Sequence, residues 1–102
     1  MKTSKVVIPP VVVAEIEEIG DYIAKHDRAA ARRQVQRLMD RCLSLARFPN
    51  RGRVYKGEHR VLVEGSYLIF YRVIEEDDDL ISVIVAVVHG ARDVDALLDF
   101  EN

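Results

Sequence analysis

The order of elements legible in the chain predicts an α+β fold. One N-terminal strand is followed by an α-helical hairpin and an antiparallel three-stranded meander, in the order β-α-α-β-β-β-(α), packed as a two-layer sandwich. Two observations predict it. Apolar residues recur at three- and four-residue spacings between Val12 and Ala46, and past Asn50 the texture changes to β-rich runs separated by short turns. A third makes a buried core feasible: 49% of the residues are hydrophobic and 31% charged, the balance of a globule rather than of a disordered tail.

Lys5-Val6-Val7-Ile8 is a short β-rich run that Pro9-Pro10 stops, and Pro10 suits the first turn of a helix. Val12, Ile16, Ile19 and Ile23 then form one stripe, which turns Glu15, Glu17, Glu18 and Asp21 outward. Gly20 costs that helix about 1 kcal/mol against alanine, a sign that something packs close to it. His26-Asp27 makes the turn, with Asp27 placed to cap the next helix. Ala31, Val35, Leu38, Cys42 and Leu45 are the stripe of that second helix, widened by Met39 and Ala46. Cys42 therefore reads as a small buried hydrophobe. Phe48-Pro49 is expected to end the helix, because the residue before proline is steered out of the α region.

Val54-Tyr55 and Arg60–Glu64 read as strand material interrupted by Lys56-Gly57-Glu58. Gly65-Ser66 has the glycine-first order of a type II′ hairpin. Tyr67–Ile74 is apolar on both faces, as an interior strand is. The acids Glu75-Glu76-Asp77-Asp78-Asp79 are expected to form a solvated loop, without the spaced ligands of a calcium site. Leu80–Val88 is the last strand, closing at His89-Gly90-Ala91-Arg92, and Asp93 is placed to cap a short final helix through Leu97, Leu98 and Phe100.

Several function classes fall away at this stage. No apolar run approaches the length of a membrane span, and only Val6–Ile8 separates the basic start from Pro9-Pro10, so neither a transmembrane helix nor a secretory signal is expected. One cysteine cannot form an internal disulfide, and with three histidines it is too little for a four-ligand zinc site. No metal or cofactor is expected, and no phosphate-cradling glycine loop or G-x-S-x-G elbow is present. The net charge of −2 conceals an asymmetry: Lys25–Arg60 holds eleven bases and three acids, while the remainder is acidic. A basic face meeting an anionic partner is one reading of this, and arginines that simply solubilise a helix are the other. The chain as a whole lacks the basic balance of a nucleic-acid domain, so direct nucleic-acid binding is not expected of it alone.

One ordered set of residues carries more. Pro49-x-x-Gly52-Arg53 ends the helical half, and Arg60-x-Leu62-x-x-Gly65-x-Tyr67-x-Ile69-x-Tyr71 follows. His89-x-x-Arg92 closes the last strand. Together with Asp21-Tyr22-Ile23-Ala24 and Ala30-Ala31-Arg32-Arg33, these residues resemble the ParE/RelE superfamily of toxins from type II toxin–antitoxin modules. The resemblance spans roughly residues 5 to 93, and residues 1–102 are expected to be a single domain of that kind.

The superfamily implies two activities. RelE-like members are metal-independent, ribosome-dependent mRNA endoribonucleases, for which Lys56, Arg60, Arg72 and His89 would supply the cations and the acid or base. The acidic tail, which has no tyrosine, departs from that pattern. ParE-like members inhibit DNA gyrase by binding it, and the His89-Gly90-Ala91-Arg92-Asp93 ending resembles them better. The ParE-like branch is therefore the expectation, with Arg53, Arg60, His89 and Arg92 as partner-binding residues, of which Arg53, Arg60 and Arg92 are expected to gather on one polar rim. A cognate antitoxin is implied as the neutralising partner, laying a helix in an apolar groove with its acids against Arg28, Arg32 or Arg53. Growth arrest and plasmid stabilization are the implied consequences, in the bacterial cytoplasm. A third reading keeps the fold as a binding module without toxicity.

Overall fold

The computed structural model describes residues 4–91. Strand β1 (Ser4–Val7) leads through Pro9 into helix α1 (Pro10–Ala24), with proline at its first position. Helix α2 (Arg28–Leu43) is capped by Asp27, whose Oδ1 accepts from the Ala30 N–H at 3.0 Å. Then come β2 (Arg53–Val54), β3 (His59–Glu64), β4 (Tyr67–Glu76) and β5 (Asp79–His89). The five strands form one sheet in the order β1-β5-β4-β3-β2. The expected meander is its centre; β1 adds a parallel strand against β5, and β2 a short antiparallel one against β3.

The helical hairpin covers one face of the sheet. Val12 and Ile16 of α1 and Leu38 and Cys42 of α2 meet Leu62, Ile69, Tyr71, Ile84 and Val87, with Leu45 beneath them. Each large aliphatic side chain withdrawn from water here contributes about 1.5–3 kcal/mol. Gly20 lets the helices approach: a Cβ there would lie 2.7 Å from Val35 Cγ2. The opposite face carries a smaller cluster of Val61, Phe70, Ala86 and Val88, with the Tyr55 ring edge-on to Phe70 at 5.1 Å. The two clusters alternate along β4, as the two-residue period of a strand requires.

Three expectations are corrected. The acid run is not a loop. β4 extends through Glu76 and β5 starts at Asp79, so three of the five acids are strand residues. Only Asp77 and Asp78 turn, both with positive φ (50° and 68°), the signature of a type I′ hairpin that aspartate tolerates better than most residues. Helix α2 does not reach Phe48 either. It ends at Leu43, where the Ser44 hydroxyl donates to the Arg41 carbonyl at 2.6 Å and the chain tightens into a 3₁₀ turn, Ser44–Ala46. Finally, Glu15 does not point to solvent. Its Oε1 accepts from the Val87 N–H at 3.0 Å.

That last contact belongs to a pattern. β1 covers β5 only as far as Val83, and β2 covers β3 only at Arg60 and Val61. Beyond those points the two strands have no strand neighbour among the described residues, and each helix sends one side chain to them. Glu15 of α1 serves β5, and Arg41 of α2 donates from Nη2 to the Val63 carbonyl at 2.9 Å, with its Nε 3.4 Å from Glu64. The expected C-terminal helix, and Arg92, lie outside the described residues.

Candidate functional site

The segment Arg47–Arg53 joins the helical layer to the sheet, and its backbone is held from outside itself. The loop makes one turn of its own, with the Arg51 N–H on the Phe48 carbonyl at 3.1 Å. At its ends the Arg47 and Phe48 N–H groups donate to the Ser44 carbonyl and Arg53 pairs with Val61, and three side chains supply further bonds. The Tyr71 hydroxyl, fully buried in the centre of β4, donates to the Pro49 carbonyl and accepts from the Gly52 N–H, both at 2.8 Å. Arg60 Nη1 donates to the Gly52 carbonyl at 2.7 Å and to the Asn50 carbonyl at 3.3 Å. Ser44 accepts from Arg51 Nη1 at 3.0 Å.

Glycine is required at 52 by space. A Cβ there would sit 2.7 Å from Tyr71 Cε1 and hydroxyl and 2.9 Å from the Val61 carbonyl. Burial pushes the Tyr71 phenol above its ordinary value of 10.0, opposed by the Gly52 hydrogen bond and by the charges of Arg60 and Arg51. A neutral hydroxyl is what the geometry needs, since it must donate to Pro49 while accepting from Gly52.

So fixed, the loop presents Phe48 outward, 61% exposed, beside the exposed Arg47, Arg51 and Arg53. An open groove of about 530 Å³ runs along it, lined by Arg47, Phe48, Pro49, Asn50 and Arg51. No acid occurs between Arg41 and Gly57. A rigid exposed aromatic in a cationic surround is equipped to anchor an apolar group flanked by carboxylates; it carries no nucleophile or base.

Of the partner-binding residues singled out in the sequence, Arg53, Arg60 and His89 are described, and they do not share one rim. Arg53 pairs with Val61 and shares the sheet face away from the helices, whereas Arg60 pairs with Tyr71 on the helix side. His89 stands at the end of β5, opposite Tyr67. Four residues along and two strands across from Arg60, it is roughly 16 Å distant. Its ring lies edge-on to Tyr67 at 5.4 Å and its Nδ1 accepts from the Ala91 N–H at 3.1 Å. The four residues of the nuclease alternative are divided likewise: Lys56 lies between β2 and β3 with Nζ 6.0 Å above the Tyr55 ring, and Arg72 pairs with His59 on the far face. Among the described residues, no group of three or more His, Cys, Asp and Glu is arranged to hold a metal ion, and no helix is long and apolar enough to cross a membrane.

Sequence reasoning missed Phe48, Arg47 and Arg51 as surface residues. Phe48 continues the α2 stripe three residues after Leu45, so periodicity alone assigns it to the core. Only the early end of α2 turns it out.

The loop, Arg60 and Tyr71 all fall within the span, residues 6–94, that matches the family model described as ParE toxin of type II toxin-antitoxin system, parDE. The chain belongs to the ParE toxin family. Among solved structures it is similar to one described as a chromosomal ParDE TA system from P. aeruginosa, at 17% identity and a TM-score of 0.63. That match covers 87% of this chain and 96% of the other, a likeness of fold. No curated protein matches the chain. In this ParE-family chain the Pro49-x-x-Gly52-Arg53 motif and the later Arg60 and Tyr71 form one hydrogen-bonded unit, so the motif spacing has a structural cause.

Proposed function

We propose that this chain is the toxin of a type II toxin–antitoxin pair, that it inhibits DNA gyrase by protein–protein contact, and that a cognate antitoxin holds it inactive. The family match over residues 6–94 carries this reading. The loop supports binding over catalysis, because it offers an aromatic anchor and cations on a fixed backbone, while the four residues of a nuclease lie apart. Phe48 and Arg53 then act at the contact, and Arg60 positions the loop that carries Phe48. His89 stands at the other end of the sheet, where it borders a separate part of the partner surface, and Arg92 is a further partner-binding residue. The protein acts as one domain, in the cytoplasm.

The test is tightly controlled expression followed by a supercoiling assay with purified gyrase. Growth arrest with inhibited supercoiling, relieved by adding the antitoxin, is expected. Phe48→Ala and Arg53→Ala should each weaken inhibition about tenfold or more, the usual effect of truncating an interface anchor. Arrest with supercoiling intact and ribosome-bound mRNA cleaved would overturn the reading in favour of the nuclease. Absence of arrest would leave a binding module.

A further inference from the structure

Helix α2 carries a row of arginines that its own stability does not call for. Arg28, Arg32, Arg33 and Arg37 are all exposed, and none has an ion pair among the described residues. Arg28 and Arg32, and again Arg33 and Arg37, stand four residues apart, where like charges destabilise a helix. Arg28 occupies the first helical position, at the positive end of the helix dipole, where the Asp27 cap is followed by a first turn without acids. A local arrangement that works against the fold marks a surface kept for something else.

The composition of the strip identifies the partner. Its exposed positions from 28 to 37 hold Arg, Ala, Arg, Arg, Gln and Arg, with no aromatic or large aliphatic side chain. Protein interfaces centre on such anchors and deplete charge at their cores, so this strip is unlike one, whereas contacts to nucleic-acid backbone are made by this set of side chains. Arginine's planar fork matches a phosphate with two parallel hydrogen bonds. The strip is about 14 Å long from Arg28 to Arg37. Gln36, the one amide that reads base edges well, instead donates to Asp40 Oδ1 at 2.8 Å. The exposed acids Glu17, Glu18 and Asp21 on the neighbouring α1 repel phosphate and confine the contact to α2.

We infer that the α2 arginine strip binds the phosphate backbone of duplex DNA without reading its sequence. This is independent of the role given to the Arg47–Arg53 loop, and it assigns to one helix a contact that the acidic whole does not advertise.

The test is fluorescence anisotropy of the full chain with a labelled random-sequence duplex of roughly 30 bp, in KCl from about 50 to 200 mM. Four phosphate contacts give a slope of log Kobs against log [salt] of about −3.6. Each substitution in the triple variant Arg32→Gln, Arg33→Gln, Arg37→Gln should remove about one from that slope, while Arg47→Gln with Arg51→Gln leaves it unchanged. All five positions being exposed, circular dichroism should show each variant folded. No duplex binding at the low-salt end, or an unchanged slope in the folded triple variant, would overturn the inference. So would a triple variant that loses affinity for the antitoxin while keeping it for the duplex.

Discussion

Removing one oxygen from the middle of β4 should loosen a loop whose Pro49 lies 22 residues earlier in the chain. In Tyr71→Phe the ring stays buried, but the Pro49 carbonyl loses its donor and the Gly52 N–H its acceptor. A typical hydrogen bond contributes about 1 kcal/mol net, and an orphaned buried group costs about 1–3 kcal/mol, so about 2 kcal/mol is expected in total. For 102 residues the unfolding entropy is about 0.2 kcal/mol/K, which converts that loss to a fall in Tm of about 10 °C. Tyr67→Phe is the control: Tyr67 is half-buried on the same strand and its hydroxyl makes no hydrogen bond among the described residues, so its loss should cost under about 0.5 kcal/mol. Urea and thermal denaturation followed by circular dichroism measure both. If the two variants lose the same stability, the hydroxyl does not hold the loop. If Tyr71→Phe is destabilised while its gyrase inhibition matches that of the wild type under native conditions, the loop's rigidity is irrelevant to binding.

Gly20→Ala should lower stability by about 1 kcal/mol despite the better helix propensity, because its Cβ meets Val35 Cγ2 at 2.7 Å. Combining it with Val35→Ala should cost clearly less than the sum of the two single changes; an additive double-mutant cycle would deny the contact. Ser82 is fully buried and its hydroxyl has no partner among the described residues, so Ser82→Ala should be neutral or stabilising by up to about 1 kcal/mol in urea titration. A loss larger than that would reveal a bond the structure does not contain. Burial raises the Cys42 thiol from 9.0 to about 11, against a smaller lowering by the Cys42 backbone. The unfolded chain releases this proton first as pH rises, so that contribution is intact below pH 9 and fades between pH 9 and about 11, by up to about 3 kcal/mol. Cys42→Ala should flatten the stability profile there, and an unchanged slope would refute the assignment.

Much of the fold is legible because much of it is local. Pro10 at a helix start, the Asp27 cap, the glycine-first turn with Gly65 at φ 60° and the close helix approach at Gly20 are each decided by a few neighbouring residues. The apolar stripes of α1 and α2 read correctly because 3.6 residues per turn is a property of the backbone. The family resemblance was legible too, and the family match over residues 6–94 agrees with it. The site was not. Alternation would put Ile84, Ala86 and Val88 on one face of β5, yet Ile84 packs under the helices and the other two on the far side. A register shift between Phe70 and Tyr71 inserts Val85 as the extra residue and exchanges the faces. An α-helix that stops at Leu43 moves Phe48 from an apparent core stripe to the surface.

The sequence by itself determined the order of helices and strands, several of their caps and turns, and that a family motif runs through residues 49–71. Tertiary structure alone decided that Arg53 and Arg60 face opposite ways, that Glu15 and Arg41 close two strand edges, and that Tyr71 grips the loop. The reason is one of range. Helix periods and caps rest on interactions within about four residues. A strand's faces depend instead on register, and a one-residue slip in pairing between distant segments inverts every side chain they carry.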